Sequence, residues 1–67
     1  MTPRQFHAEF NRLREEKGFQ PVSMASIYDR LANPEKYYDR VEAKKVFGSW
    51  VIDDESAKQF FKQVTND

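Results

Sequence analysis

The residues predict a small α+β fold, ordered helix, helix, short turn, β-hairpin, helix, over 67 positions. Three observations carry that reading. Apolar residues recur at helical spacing in three separate stretches, and residues that start or stop helices stand at the stretch edges. Between the second and third stretches, two β-prone runs flank a glycine turn.

Thr2-Pro3 opens the first helix. The Thr hydroxyl caps, Pro at the first helical position loses no needed N–H, and Gln5 stands at the capping-box spacing. Phe6, Phe10 and Leu13 then recur at i, i+4 and i+7, one apolar stripe with Arg4, Glu9, Arg12, Glu15 and Glu16 outside it, and the helix should run over residues 3 to about 17. Gly18 stops it, because a left-handed residue there carries no Cβ penalty. Phe19-Gln20-Pro21-Val22 is a tight linker and Ser23 the next cap. Met24, Ile27, Tyr28 and Leu31 mark a second amphipathic helix over residues 24 to about 32, ended by Asn33-Pro34.

Residues 34–40 read either as a short helical turn, with Pro34 at its first position, or as an irregular crossing, and the turn is favoured. Val41-Glu42-Ala43-Lys44-Lys45-Val46 is the first β-prone run, Gly48-Ser49 the expected turn, and Trp50-Val51-Ile52 the second run. Asp53 caps a last helix, whose Ala57, Phe60, Phe61 and Val64 fall at i, i+3, i+4 and i+7. No repeat, low-complexity tract or linker divides the chain, so residues 1–67 are expected to form a single domain.

Composition narrows the chemistry. A chain this short holds one small core, in the range where an apolar cluster gives about 3 to 5 kcal/mol of net stability. It has no cysteine, hence no disulfide, thiolate nucleophile or thiolate metal ligand. Packing must come from six Phe, three Tyr and one Trp, each able to bury on the order of 150 to 250 Å². No apolar run reaches the roughly 18 residues of a membrane span, and the N-terminus lacks the charged-then-apolar pattern of a signal peptide, so a cytoplasmic location is expected and no membrane partner.

The net charge is zero, which argues against a strongly basic nucleic-acid binder, but the charge is uneven. Residues 1–52 carry nine Lys or Arg against seven Asp or Glu, whereas residues 53–67 carry two against four. That asymmetry permits nucleic-acid binding without favouring it.

At two places the chain resembles the excisionase and MerR-type winged helix-turn-helix domains. Val22-Ser23-Met24-Ala25-Ser26-Ile27-Tyr28-Asp29-Arg30-Leu31 is similar to their turn and recognition helix. Phe47-Gly48-Ser49-Trp50-Val51-Ile52-Asp53 is similar to a wing in which a Gly turn leads to Trp-x-Ile and straight into a capped helix. Together they span about residues 22–61. The chain departs from the family in lacking an acidic-Ala-Ala signature before the turn, in the longer turn at residues 17–21, and in a second helix whose only cation is Arg30.

The resemblance implies a small non-catalytic DNA-binding protein of the excisionase type, from a mobile element, acting as a recombination accessory factor or transcription regulator. Its copies would bind adjacent sites on double-stranded DNA, bend it, and assemble with a recombinase or block a promoter. The second helix would enter the major groove, with the outward Ser26 and Arg30 at bases and Ser23 with the helix N-terminus at a phosphate. Arg30 would read guanine in bidentate fashion. Lys44, Lys45 and Ser49 would meet backbone or minor groove, and Lys36 and Arg40 further phosphates.

Other readings stand beside these. Arg30 next to Asp29 also reads as a solvated surface charge, and Lys44 and Lys45 as edge-strand charges that oppose aggregation. Trp50 reads as core, and Tyr37-Tyr38 as a pair split between core and surface. Asp53-Asp54-Glu55 reads as helix-start chemistry rather than a cation site. His7 has no second His or Cys for a ligand set or triad, so it reads as structural or exposed, and neither an enzyme, a metal nor a cofactor is expected. The rival function is a protein-interaction module, an adaptor or inhibitor, which neutral charge and abundant aromatics favour.

Overall fold

Helix formation follows the caps closely. The structure, a computed structural model, describes residues 1–65. Helix α1 is Pro3–Glu16, and Thr2 and Gln5 form the reciprocal capping box. At its other end Gly18 adopts φ 79°. The Phe19 amide donates to the Arg14 carbonyl and the Gly18 amide to that of Glu15, the paired bonds of a Schellman motif. Helix α2 is Met24–Ala32, with the Ser23 hydroxyl accepting from the Ser26 amide. A single 3₁₀ turn follows at Pro34–Lys36.

Strands β1 (Ala43–Val46) and β2 (Ser49–Ile52) form an antiparallel hairpin paired Ala43 to Ile52 and Val46 to Ser49. Helix α3 is Asp54–Thr65, its first turn closed by the Asp53 carboxylate accepting from the Ser56 amide at 2.9 Å. The Ser56 hydroxyl accepts from the Glu42 amide, and the Asp53 amide donates to the Glu42 carbonyl, so the hairpin's base and the start of α3 are joined. On the free edge of β2, Ile52 exchanges backbone hydrogen bonds with Met1 in both directions.

This is the predicted order, a small α+β domain of helices and one hairpin. Its core is Phe6 and Phe10 from α1, Ile27 and Leu31 from α2, Val41, Ile52 from β2, and Ala57 and Phe60 from α3. Phe6, Phe10 and Phe60 form a triangle of tilted and edge-on rings with centroids 5.2 to 5.9 Å apart, spacings at which aromatic pairs attract beyond simple burial.

The link between α1 and α2 is held by side chains of α1. Asn11 clamps Val22, its Oδ1 accepting from the Val22 amide at 2.8 Å and its Nδ2 donating to the Val22 carbonyl at 3.0 Å. His7 Nε2 lies 2.7 Å from the same carbonyl and 3.0 Å from Asn11 Nδ2, which fixes the ring against the linker. His7 is therefore structural, one of the two roles expected of it.

Three local expectations are corrected. The turn is Phe47-Gly48, not Gly48-Ser49, because Val46 pairs with Ser49 and leaves a two-residue loop. Ser49 accordingly opens β2. The first strand starts at Ala43, with Val41 buried ahead of it in the core. Tyr28 leaves the apolar stripe of α2 and is 45% exposed, since Ile27 and Leu31 suffice to cover the face toward α1. Among the described residues, no helix is long and apolar enough to cross a membrane.

Candidate nucleic-acid interface

The hairpin presents two exposed cations. Lys44 and Lys45 are adjacent in β1, and alternation along a strand sends them to opposite faces. Lys45 shares its face with Trp50, the residue it pairs with, and its ammonium stands 5.5 Å from the indole centroid. Lys44 shares the other face with Val46, Ser49 and Val51, all exposed. Residues 43–52 contain no acid, and neither lysine makes an ion pair among the described residues. Trp50 itself is half-buried against the core and supports the hairpin rather than filling the centre.

The tip is unusual. Phe47 has φ 51° and Gly48 φ 79°, the two positive values of a type I′ hairpin turn. Asn, Asp or Gly ordinarily takes the first of those positions, and a bulky side chain there costs about 1 to 2 kcal/mol. The Phe47 ring is nevertheless fully exposed and finds no compensating contact among the described residues.

The second helix offers less than the sequence suggests. Arg30 is half-buried rather than outward. Its guanidinium folds back over Tyr37 at 4.3 Å, with Phe60 and Phe10 at 5.2 and 5.5 Å, and donates to the Asp39 carbonyl at 2.8 Å. Burial lowers its pKa, with the charges of Tyr37 and Asp39 opposing that shift. A planar cation on a three-methylene stem gains more from three ring faces and a carbonyl than from water, so it serves as a bracket. The outer face of α2 instead shows Ala25, Tyr28 and Ala32, with Ser26 half-buried behind Ser23.

Asp29 is equally occupied. Its carboxylate accepts from the Tyr37 hydroxyl at 2.6 Å and from Asn33 Nδ2 at 2.9 Å, and the Lys36 ammonium lies 3.6 Å away. These donors, Tyr37 first, hold the Asp29 carboxyl below the usual range, and the same bond pushes the Tyr37 hydroxyl up. Lys36 is thus partly engaged, whereas Arg40 is exposed. Tyr37 is half-buried and Tyr38 fully exposed, the split expected of the pair.

A separate cleft lies where the C-terminal ends of α1 and α3 meet the connector, lined by Phe10, Arg14, Lys17, Phe19, Arg30 and Phe60 among others. Arg14 stands over Phe19 and Phe10 and donates to the Gln20 carbonyl. Among the described residues neither Arg14 nor Arg30 forms an ion pair, and the two repel each other. Phe19 is 57% exposed at its rim.

The expected residues therefore divide by position. Lys44, Lys45 and Ser49 come together on the hairpin, with Ser23 and Ser26 at the start of α2 and Lys36 and Arg40 on the connector. Sequence reasoning missed Phe47, Tyr28 and the Arg14-Phe19 pair. For Phe47 a signal existed, since a two-residue loop before Ser49 would have put a non-glycine residue at positive φ. At Asp53-Asp54-Glu55, Asp53 caps α3 and Asp54 pairs with the Met1 amino group at 2.8 Å, which lowers its pKa. Comparison with family models, curated proteins and solved structures finds no match for this chain.

Proposed function

We propose that this chain is a small non-catalytic DNA-binding protein of the winged helix-turn-helix, excisionase-like kind, acting in recombination or transcription. The observation that carries the reading is the acid-free hairpin with Lys44 and Lys45 on opposite faces, projecting beside a capped helix pair in the order such domains use. Strands of four residues, at about 3.3 Å per residue, set the tip roughly 13 Å from the base. That is long enough to follow a groove with the two ammonium groups reaching phosphates on either side. The start of α2, with Ser23, Ser26 and Tyr28, lies against the second groove. Affinity comes from phosphates, and sequence preference depends little on α2, whose single cation is spent on Tyr37.

Titrating a duplex of about 30 base pairs across a salt series tests this. Binding should weaken steeply with salt, and Lys44→Ala with Lys45→Ala should flatten the log-log slope by roughly 2, near 0.9 per phosphate contact. Absence of salt-sensitive binding at micromolar protein would sink the proposal.

A second reading, a module that docks a protein partner such as a recombinase or another copy of the chain, draws on the cleft of Arg14, Arg30 and Phe19. Aromatic and Arg anchors dominate protein interfaces. If partner function survives the double lysine change but is lost with Phe19→Ala and Arg14→Ala, this reading replaces the first.

A further inference from the structure

Phe47 bears two costs that nothing among the described residues offsets. Its backbone sits at φ 51°, a region bulky residues rarely occupy, and its ring lies wholly in water. Asparagine would remove both at once, because Asn-Gly is the preferred pair for such a turn. Backbone strain of this kind clusters at ligand clamps and functional sites, which makes an external contact the hypothesis to test. The neighbours identify the contact. No acid lies in residues 43–52, and Lys44 and Lys45 straddle the strand two and three residues before the ring. An apolar plate at a tip, with a cation on each face of the strand behind it, complements a surface that is anionic at its margins and exposes stacked aromatic bases when a step opens, as duplex DNA does.

We propose that Phe47 is a wedge that enters the groove of duplex DNA and partly unstacks one base step while Lys44 and Lys45 hold phosphates on either side. This rests on the DNA-binding reading and adds to it a residue, a contact and a preference. Side chains of this class insert between base pairs in the minor groove, and pyrimidine-purine steps open most readily, so a TA step is the favoured site. The proposal also bears on a neutral chain: stacking of the ring on the opened bases offsets the cost of unstacking and adds a contact that a short list of lysines does not supply.

The experiment uses the full chain, a duplex with 2-aminopurine at a central TA step, and a matched duplex carrying it at a GC-flanked position. Wild-type protein at low salt should raise 2-aminopurine fluorescence several-fold at the TA step and less at the other. Phe47→Asn, which should fold at least as well because it relieves the turn, is expected to bind with the same salt slope, with affinity reduced about tenfold, in line with the loss of one stacking contact. It should leave the fluorescence at the level of free duplex. Phe47→Leu should restore part of the signal. Equal fluorescence with wild type and Phe47→Asn would overturn the wedge while leaving DNA binding standing. No salt-dependent binding by wild type would overturn both, and loss of a protein partner with Phe47→Asn in that case would make Phe47 a protein anchor instead.

Discussion

Arg30 shows how far a single side chain departs from what its position on a helix suggests. Read along the sequence it is a cation on a recognition helix. In the structure it ties three elements together, stacking on Tyr37 while donating to the Asp39 carbonyl and lying near Phe10 of α1 and Phe60 of α3. Arg30→Ala should lower stability by about 1 to 3 kcal/mol, the combined scale of a partly desolvated cation-π contact and a charged hydrogen bond. Urea unfolding followed by Trp50 fluorescence, without any DNA present, checks this. Arg30→Lys should recover little, because an ammonium lacks the planar stacking surface. A loss of DNA affinity with unchanged stability would instead return Arg30 to the bases. Phe47 is the opposite case, a residue whose apolar character suggests burial and whose backbone geometry denies it. Neither outcome is readable from residue type, since both depend on which atoms the folded chain brings within 6 Å.

At the scale of elements, the weakest stretch of pattern turns out to be firmly held. Residues 33–40 contain only one 3₁₀ turn, yet Asn33, Lys36 and Tyr37 all converge on Asp29 of α2. Because the folded-state pKa of Asp29 is depressed, the contribution of this clamp is complete above the ordinary Asp value of about 3.9 and disappears as pH falls through the lower folded value. Tyr37 runs the other way, its contribution complete below about pH 10 and lost as pH rises through its raised folded value. Asp29→Asn should therefore be less stable than wild type near pH 7, with the gap closing as pH falls below the ordinary Asp value of about 3.9, as measured by urea midpoints across an acid pH series. A gap that persists undiminished in acid would mean the carboxylate charge is not what holds the connector. The hairpin turn gives the matching lesson. A glycine in a β-prone stretch announces a turn but leaves its register open by one residue, and pairing with the partner strand chooses between them.

For the whole molecule, stability concentrates in one aromatic cluster. Phe6 and Phe60 are fully buried and meet at 5.2 Å, joining α1 to α3. Phe60→Ala should cost about 3 to 5 kcal/mol, as much as a chain of this size has in reserve, so the variant should be largely unfolded at 25 °C by near-ultraviolet circular dichroism. Retention of a cooperative transition near the wild-type temperature would show that α3 is not required for the core. Element types and order were legible in the residues, because they follow from local chemistry: Thr2, Ser23 and Asp53 cap, Gly18 stops, and Phe6, Phe10, Leu13, Ile27 and Leu31 recur at the helical period. Only the tertiary structure decided that Arg30 braces the core, that Tyr28 faces out, that Asp29 gathers the connector and that Phe47 stands alone at the hairpin tip. Caps and periodicity act over a few neighbouring residues, whereas these four placements depend on contacts and strand pairing between separate elements, or on their absence.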